Sequence, residues 1–249
     1  MIRSDRYLYN MIMDLTDPTR ALTPTLDGPV LSVLARAGHP LTVGEITQQA
    51  ARGSEIGIRR SVARLVHQGL VTATQMGRNQ VHELNRDHVA APAAALFADL
   101  RLELWKRLRE TLAEWREKPV YACVFGSAAR GDGGPDSDID LLLVHQPFPG
   151  DEKPEVNAPL WVKLVGALAM AGSSPQPPRL PNENAWRAAV DALHGSVRRW
   201  TGNPLHAVEL SAWQWVNLPS SDAVLHAEIR RHSIVVAGVP NLLTVPSPA

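Results

Sequence analysis

Residues Val120–Val144 read VYACVFGSAARGDGGPDSDIDLLLV, and a chain can bury this segment in few ways. The apolar runs Val120–Phe125 and Leu141–Val144 have the length and composition of buried strands. Between them lie Gly126-Ser127 and a loop rich in Gly, Asp and Pro. The second run is entered through Asp138-Ile139-Asp140. Side chains two apart on a strand share a face, so the spacing predicts that both carboxylates leave the sheet together, beside the glycine turn. Neighbouring acids repel unless a cation or a proton joins them. At the mouth of a glycine turn the expected cation is Mg²⁺ or Mn²⁺, which takes oxygen ligands and often carries substrate phosphates.

The order strand, Gly126-Ser127, ten residues, Asp138, one residue, Asp140, strand resembles the signature of the polymerase-β-like nucleotidyltransferases, most closely the minimal members of that superfamily. The close likeness spans about 25 residues, with a looser one to Leu243. It implies transfer of NMP, AMP first among them, from an NTP (ATP by family habit) to an acceptor hydroxyl. Asp138 and Asp140 would hold the metal, and Gly126, Ser127 and Arg130 would meet the phosphates. The superfamily adds a third carboxylate from a later strand. Here that strand is Leu205-His206-Ala207-Val208-Glu209-Leu210. Glu209 is its one acid and the expected third catalytic and metal-binding group. In a second register His206 takes that place, and a neutral imidazole is a poorer Mg²⁺ ligand.

Other metal and phosphate motifs fail on their residues. Asp136, Asp138 and Asp140 begin like an EF-hand loop, but Leu141 stands where the glycine must be. There is no Gly-Lys-Ser/Thr for a Walker A loop and no HExxH for zinc. A glycosyltransferase Asp-x-Asp site would share the acid pair and nothing else.

Upstream, Asp27–His88 alternates helix and turn signals. Asp27 is placed to cap a helix through Val30, Val33, Leu34 and Ala37, ended by Gly38. Thr42 and Glu45 stand at capping-box spacing. Gly53-Ser54 precedes a helix with Ile58, Val62, Leu65 and Val66 at 3.6-residue spacing. Two alternating segments, Leu70–Gln75 and Gln80–Leu84, flank a Gly77/Asn79 turn. Three helices and a hairpin resemble a winged helix-turn-helix of the bacterial-regulator kind. If the module binds DNA, the third helix would offer Arg59, Arg60 and Arg64 to the major groove, with Ser54 and Ser61 near its start. Arg78 would reach from the hairpin tip. The alternative is a docking or dimerisation module with a solvated arginine face.

The expected division is an extension over 1–25, the winged-helix domain over 26–89, a linker helix over 90–117, the nucleotidyltransferase domain over 118–243 and a tail over 244–249. The fold class is α+β in two domains: a winged helix-turn-helix, then a small mixed sheet with flanking helices. Leu96, Leu100, Leu104, Leu108, Leu112 and Trp115 stripe the linker helix, for core packing or pairing with a twin in a homodimer. Leu160–Met170 and the segment Trp186–Trp200 are further helix candidates, Gly172–Pro181 is a loop, and Ser220-Ser221 could open a last helix to Arg231.

With 25 basic and 25 acidic residues among 249, no global field draws the chain to nucleic acid or membrane. One cysteine, Cys123, excludes an internal disulfide framework and is expected to pack in the first strand. No apolar run nears the ~18 residues of a membrane helix, so a cytoplasmic protein without membrane contact is expected. Two functions survive. One is a metal-dependent nucleotidyltransferase acting on a protein, RNA or small-molecule acceptor, with a DNA-binding or regulatory N-terminal module. The other is a DNA-binding regulator whose nucleotidyltransferase-like domain senses nucleotide without turnover.

Overall fold

A computed structural model describes residues 12–134, 137–149, 151 and 181–238. The expected helix at Leu160–Met170 and most of the loop at Gly172–Pro181 lie outside those residues, as do residues 1–11 of the N-terminal extension. The described chain is mixed α+β with two sheets. It divides into two units, the division falling between Leu104 and Trp105.

The N-terminal unit opens with a short 3₁₀ turn, Pro18–Ala21. Helices α1 (Asp27–Arg36), α2 (Val43–Gln49) and α3 (Glu55–His67) follow, with the two-residue strand β1 (Leu41–Thr42) between α1 and α2. Strands β2 (Val71–Met76) and β3 (Asn79–Leu84) close the unit in an antiparallel sheet of order β1-β3-β2. The Thr42–Glu45 signal acts as read, the two forming a reciprocal capping box on α2. Ser54, read as part of a turn, accepts from the Gly57 amide and caps α3. The core gathers Val30, Leu34, Leu41, Ile46, Ile58, Val62 and Leu65, all at most 3% exposed.

Asp27 is not a cap, because Leu26 holds that position without a side-chain bond. Its carboxylate instead accepts from Thr25 Oγ1 (2.5 Å) and Ser61 Oγ (2.6 Å) and pairs with Arg64. Burial works to raise the Asp27 pKa, but the bonds from Arg64, Ser61 and Thr25 outweigh it and hold the carboxyl below its ordinary value. Ser61 is accordingly buried, not on the solvent face of α3.

Helix α4 spans Ala91–Glu114. Its buried face differs from the leucine stripe expected. Ala91, Ala94 and Ala98 are buried in the first half, while Leu96 is 67% exposed. Leu104, Trp105, Leu108 and Leu112 are buried in the second half. Over so many turns a 3.6-residue helix drifts out of register with steps of four, so one stripe of leucines cannot stay on one face.

The C-terminal unit is built on a four-stranded sheet of order β6-β5-β4-β7. Strands β4 (Tyr121–Phe125) and β5 (Ile139–His145) pair antiparallel, β5 and β6 (Leu205–Ser211) parallel, and β4 and β7 (Ile234–Gly238) antiparallel. Ile139 and Leu141–Val144 are 0% exposed, which is why both strands read as continuous apolar runs. Cys123 is buried as expected, and burial pushes its thiol up to about 12. Helix α5 is the single turn Gly126–Arg130. Helix α6 (Glu183–Thr201) lays Trp186, Val190, Leu193 and Val197 into the core, the rings of Trp186 and Trp115 meeting at right angles with centroids 5.2 Å apart. Helix α7 (Ala212–Ser221), not foreseen in the sequence, and α8 (Ala223–His232) pack Trp215, Leu218 and Ile229 with Tyr121, Cys123, Leu142 and Val144.

Candidate functional site

The turn after β4 brings the sequence motif together. Gly126 has φ +67°, a conformation glycine adopts without penalty. A Cβ there would overlap Oδ2 of Asp140 and stand 3.2 Å from its Cγ. The Asp140 carboxylate therefore lies directly against the bare backbone of the glycine turn. The cause is register: Phe125 pairs with Asp140 across β4 and β5. Asp138 is exposed one residue before β5. Its approach is anchored from the two residues before β6, where Asn203 Nδ2 donates to the Ser137 carbonyl at 3.1 Å and the Pro204 carbonyl accepts from Ile139 N–H at 3.0 Å. Asn203 is fully buried. The sequence showed it only as part of a helix stop, and no local signal ties it to Ser137.

The loop after α5 closes over Ser127, since a Cβ at Gly133 would stand 2.8 Å from Ser127 Oγ. Arg130 donates from Nε to Asp132 Oδ2 at 3.0 Å and pairs with Glu228 of α8. The bond to Asp132 comes first in raising the guanidinium above its ordinary pKa, with the charges of Asp132 and Glu228 adding to it; the same bond lowers the Asp132 carboxyl.

The parallel pairing of β5 with β6 places the two candidates for the third group. Asp140 is level with His206, and Leu143 with Glu209. His206 Nδ1 stands 3.1 Å from Asp140 Oδ1. Glu209 lies on the other face, where its Oε2 accepts from Trp186 Nε1 at 2.6 Å. There it lines a cavity of about 470 Å³ with His145, Phe148, Glu183 and Arg187. The structure thus brings Gly126, Asp140 and His206 together and leaves Glu209 across the sheet, contrary to the register in which Glu209 joins the aspartates. Three residues of offset on a strand of period two put the acid on the wrong side. Among the described residues no group of three or more His, Cys, Asp or Glu side chains could by itself hold a metal ion.

In the N-terminal unit, Arg59 pairs with Glu55 at 2.6 Å, and Arg64 with Asp27. Arg60 and Arg78 are exposed, and every residue from Thr72 to Gln80 is exposed on the hairpin. No helix among the described residues is long and apolar enough to cross a membrane.

A family model described as "Nucleotidyltransferase domain" matches residues 105–166. The match takes in β4, the Gly126 turn, both aspartates and β5, so this part of the chain carries the nucleotidyltransferase pattern. No curated protein matches the sequence. Among solved structures, the crystal structure of the toxin-antitoxin with AMP-PNP is similar at 17% identity, over 55% of this chain and 75% of that one, with a TM-score of 0.27. Human N-acetylserotonin methyltransferase in complex with SAM is similar at 19% identity, over 47% of this chain and 38% of that one, with a TM-score of 0.25. At those scores neither likeness bears on fold or function.

Proposed function

We propose that the C-terminal unit is a metal-dependent nucleotidyltransferase that moves NMP, AMP first among the candidates, from an NTP to an acceptor hydroxyl on a protein, an RNA or a small molecule. The observation that carries this reading is the Asp140 carboxylate seated against the Gly126 turn, inside the residues that match the nucleotidyltransferase domain.

The donor set fits Mg²⁺ or Mn²⁺. Such ions are commonly held by one or two carboxylates and complete their shell with substrate phosphates and water, so Asp138 and Asp140 suffice from the protein. When bound, the ion supplies charge neutralisation at the transferred phosphoryl group and at the attacking and leaving oxygens. The chain's own groups then position the substrate, which is most of what in-line phosphoryl transfer asks of a protein. Gly126 lets a phosphate approach the backbone where a side chain would block it. The Ser127 hydroxyl is available to donate to a phosphate oxygen. Arg130 reaches the same phosphates on exchanging its carboxylate partners for them.

The N-terminal unit, with three helices and a projecting hairpin, is read as a winged helix-turn-helix that binds DNA through Arg59, Arg60 and Arg64 of α3 and Arg78 at the hairpin tip. A specific observation supports a second reading. Where the superfamily places a third carboxylate beside the first two, His206 stands next to Asp140. A domain so altered could bind NTP without transferring it and act as the nucleotide sensor of a DNA-binding regulator.

Incubation with α-labelled ATP, Mg²⁺ or Mn²⁺ and cell lysate separates the two. Label transfer lost in Asp138→Ala/Asp140→Ala supports the enzyme. NTP uptake that needs the same aspartates, with no transfer to any acceptor, supports the sensor. Absence of NTP uptake by the intact chain rejects both.

A further inference from the structure

We infer that His206 is itself a metal ligand and shifts the ion preference of the site from Mg²⁺ toward Mn²⁺; this rests on the reading of Asp140 as a metal ligand. Two adjacent ligands of an octahedral ion, each about 2.1 Å from it, stand about 3.0 Å from one another. The separation of His206 Nδ1 and Asp140 Oδ1 is 3.1 Å. The two donor atoms lie side by side, and a small turn of the exposed imidazole would let one ion touch both.

The pairing is built into the fold. Asp140 and His206 are 66 residues apart in sequence but level with one another on parallel neighbours in the sheet. Both strands are fixed from beneath by Ile139, Leu141 and Leu205, each at most 6% exposed. The His206 side chain itself is 63% exposed, so the ion side of the pair is open to solvent and to a phosphate-bearing substrate.

The donor chemistry sets the preference. Mg²⁺ selects oxygen and parts reluctantly with water, whereas affinity for an imidazole nitrogen rises along the first transition series from Mn²⁺. An imidazole beside the Asp140 carboxylate therefore favours Mn²⁺ over Mg²⁺ relative to an all-carboxylate site.

The test uses the full chain with the metal alone, then with a non-hydrolysable ATP analogue. Isothermal titration gives Mn²⁺ and Mg²⁺ affinities for wild type, His206→Asp, His206→Asn and Asp140→Asn. Electron spin-echo spectroscopy of bound Mn²⁺ reports nitrogen coupling directly. Expected are a ¹⁴N imidazole signal in wild type that vanishes in His206→Asn, and a Mn²⁺/Mg²⁺ affinity ratio that falls at least about tenfold in His206→Asp, the scale on which ligand-shell changes act. Metal uptake that needs Asp140 but shows no nitrogen coupling and an unchanged ratio in His206→Asp overturns this inference alone. Wild type that takes up neither ion, with or without nucleotide, overturns the metal-dependent reading beneath it as well.

Discussion

The backbone of Gly126 and the carboxylate of Asp140 occupy adjoining space with no room for one further carbon between them. That contact joins the turn after β4 to the acid on β5, and it makes glycine a requirement at 126 twice over, through φ and through space.

Gly126→Ala should therefore cost about 1–3 kcal/mol from left-handed strain, and more from the displaced carboxylate. The expected result is a lower melting temperature together with loss of metal-dependent NTP binding by calorimetry. An alanine variant that melts lower yet binds NTP as wild type does would remove the turn from the site.

Glu209 and Asp140 should separate cleanly. Glu209→Gln keeps an oxygen for Trp186 Nε1 and should leave Mn²⁺ and NTP uptake unchanged. Glu209→Ala strands that indole N–H, whose ring is 1% exposed, and should destabilise by about 1–3 kcal/mol. Asp140→Asn should do the opposite, sparing stability and losing metal. If Glu209→Gln abolished metal uptake in a well-folded protein, the two faces of β6 would have been assigned the wrong way round.

Arg130 is held by Asp132 and Glu228, so a triphosphate must compete with those carboxylates for it. Glu228→Gln should tighten NTP binding by about two- to fivefold, the worth of an exposed ion pair, and Arg130→Ala should weaken it. Equal NTP affinity in both variants would mean that Arg130 only fastens α5 to α8.

The Asp27 hub predicts an acid-side loss of stability. Its carboxyl is depressed in the folded state, so the folded chain holds the proton less tightly than the unfolded one. The stabilisation is complete above the ordinary Asp value of about 3.9 and drains away as pH falls through the lower folded value. Urea unfolding between pH 6 and pH 3 should show this slope in wild type and a shallower one in Asp27→Asn. Parallel slopes would contradict it.

If α3 and the hairpin hold DNA, Arg78→Ala should weaken binding uniformly across sequences and lower the salt slope by about one, whereas Arg60→Ala should weaken binding and relax specificity at the base it reads. Arg64→Ala should in addition lower stability, because it removes a partner of Asp27. Salt-independent binding, or none by the intact chain, would favour a docking role for this unit.

Local signals were legible in advance where the cause is local. The Thr42–Glu45 box and the strands flanking Gly126 each depend on residues a few positions apart. Helix α7 was missed because Ser220-Ser221 read as the opening of the last helix, whereas Ser221 ends α7 and Asp222 caps α8 through its bond from the Leu225 amide. The signal for α7 was the Ser211–Gln214 capping box, which lies at the same spacing as the box on α2. Asp27 looked like a cap because its real partners, Ser61 and Arg64, lie more than thirty residues on in the chain.

By itself the sequence determined the Gly-Ser turn, the acid pair at the start of a buried strand, and the fact that His206 and Glu209 face opposite ways, since a strand alternates with period two. Which of them faces Asp140 was a question of register between strands far apart in the chain. Only the tertiary structure decided it, by seating Leu205 beside Ile139 and so setting His206 level with the aspartate. Alternation is written in neighbouring residues, whereas register is the outcome of packing whole elements against one another.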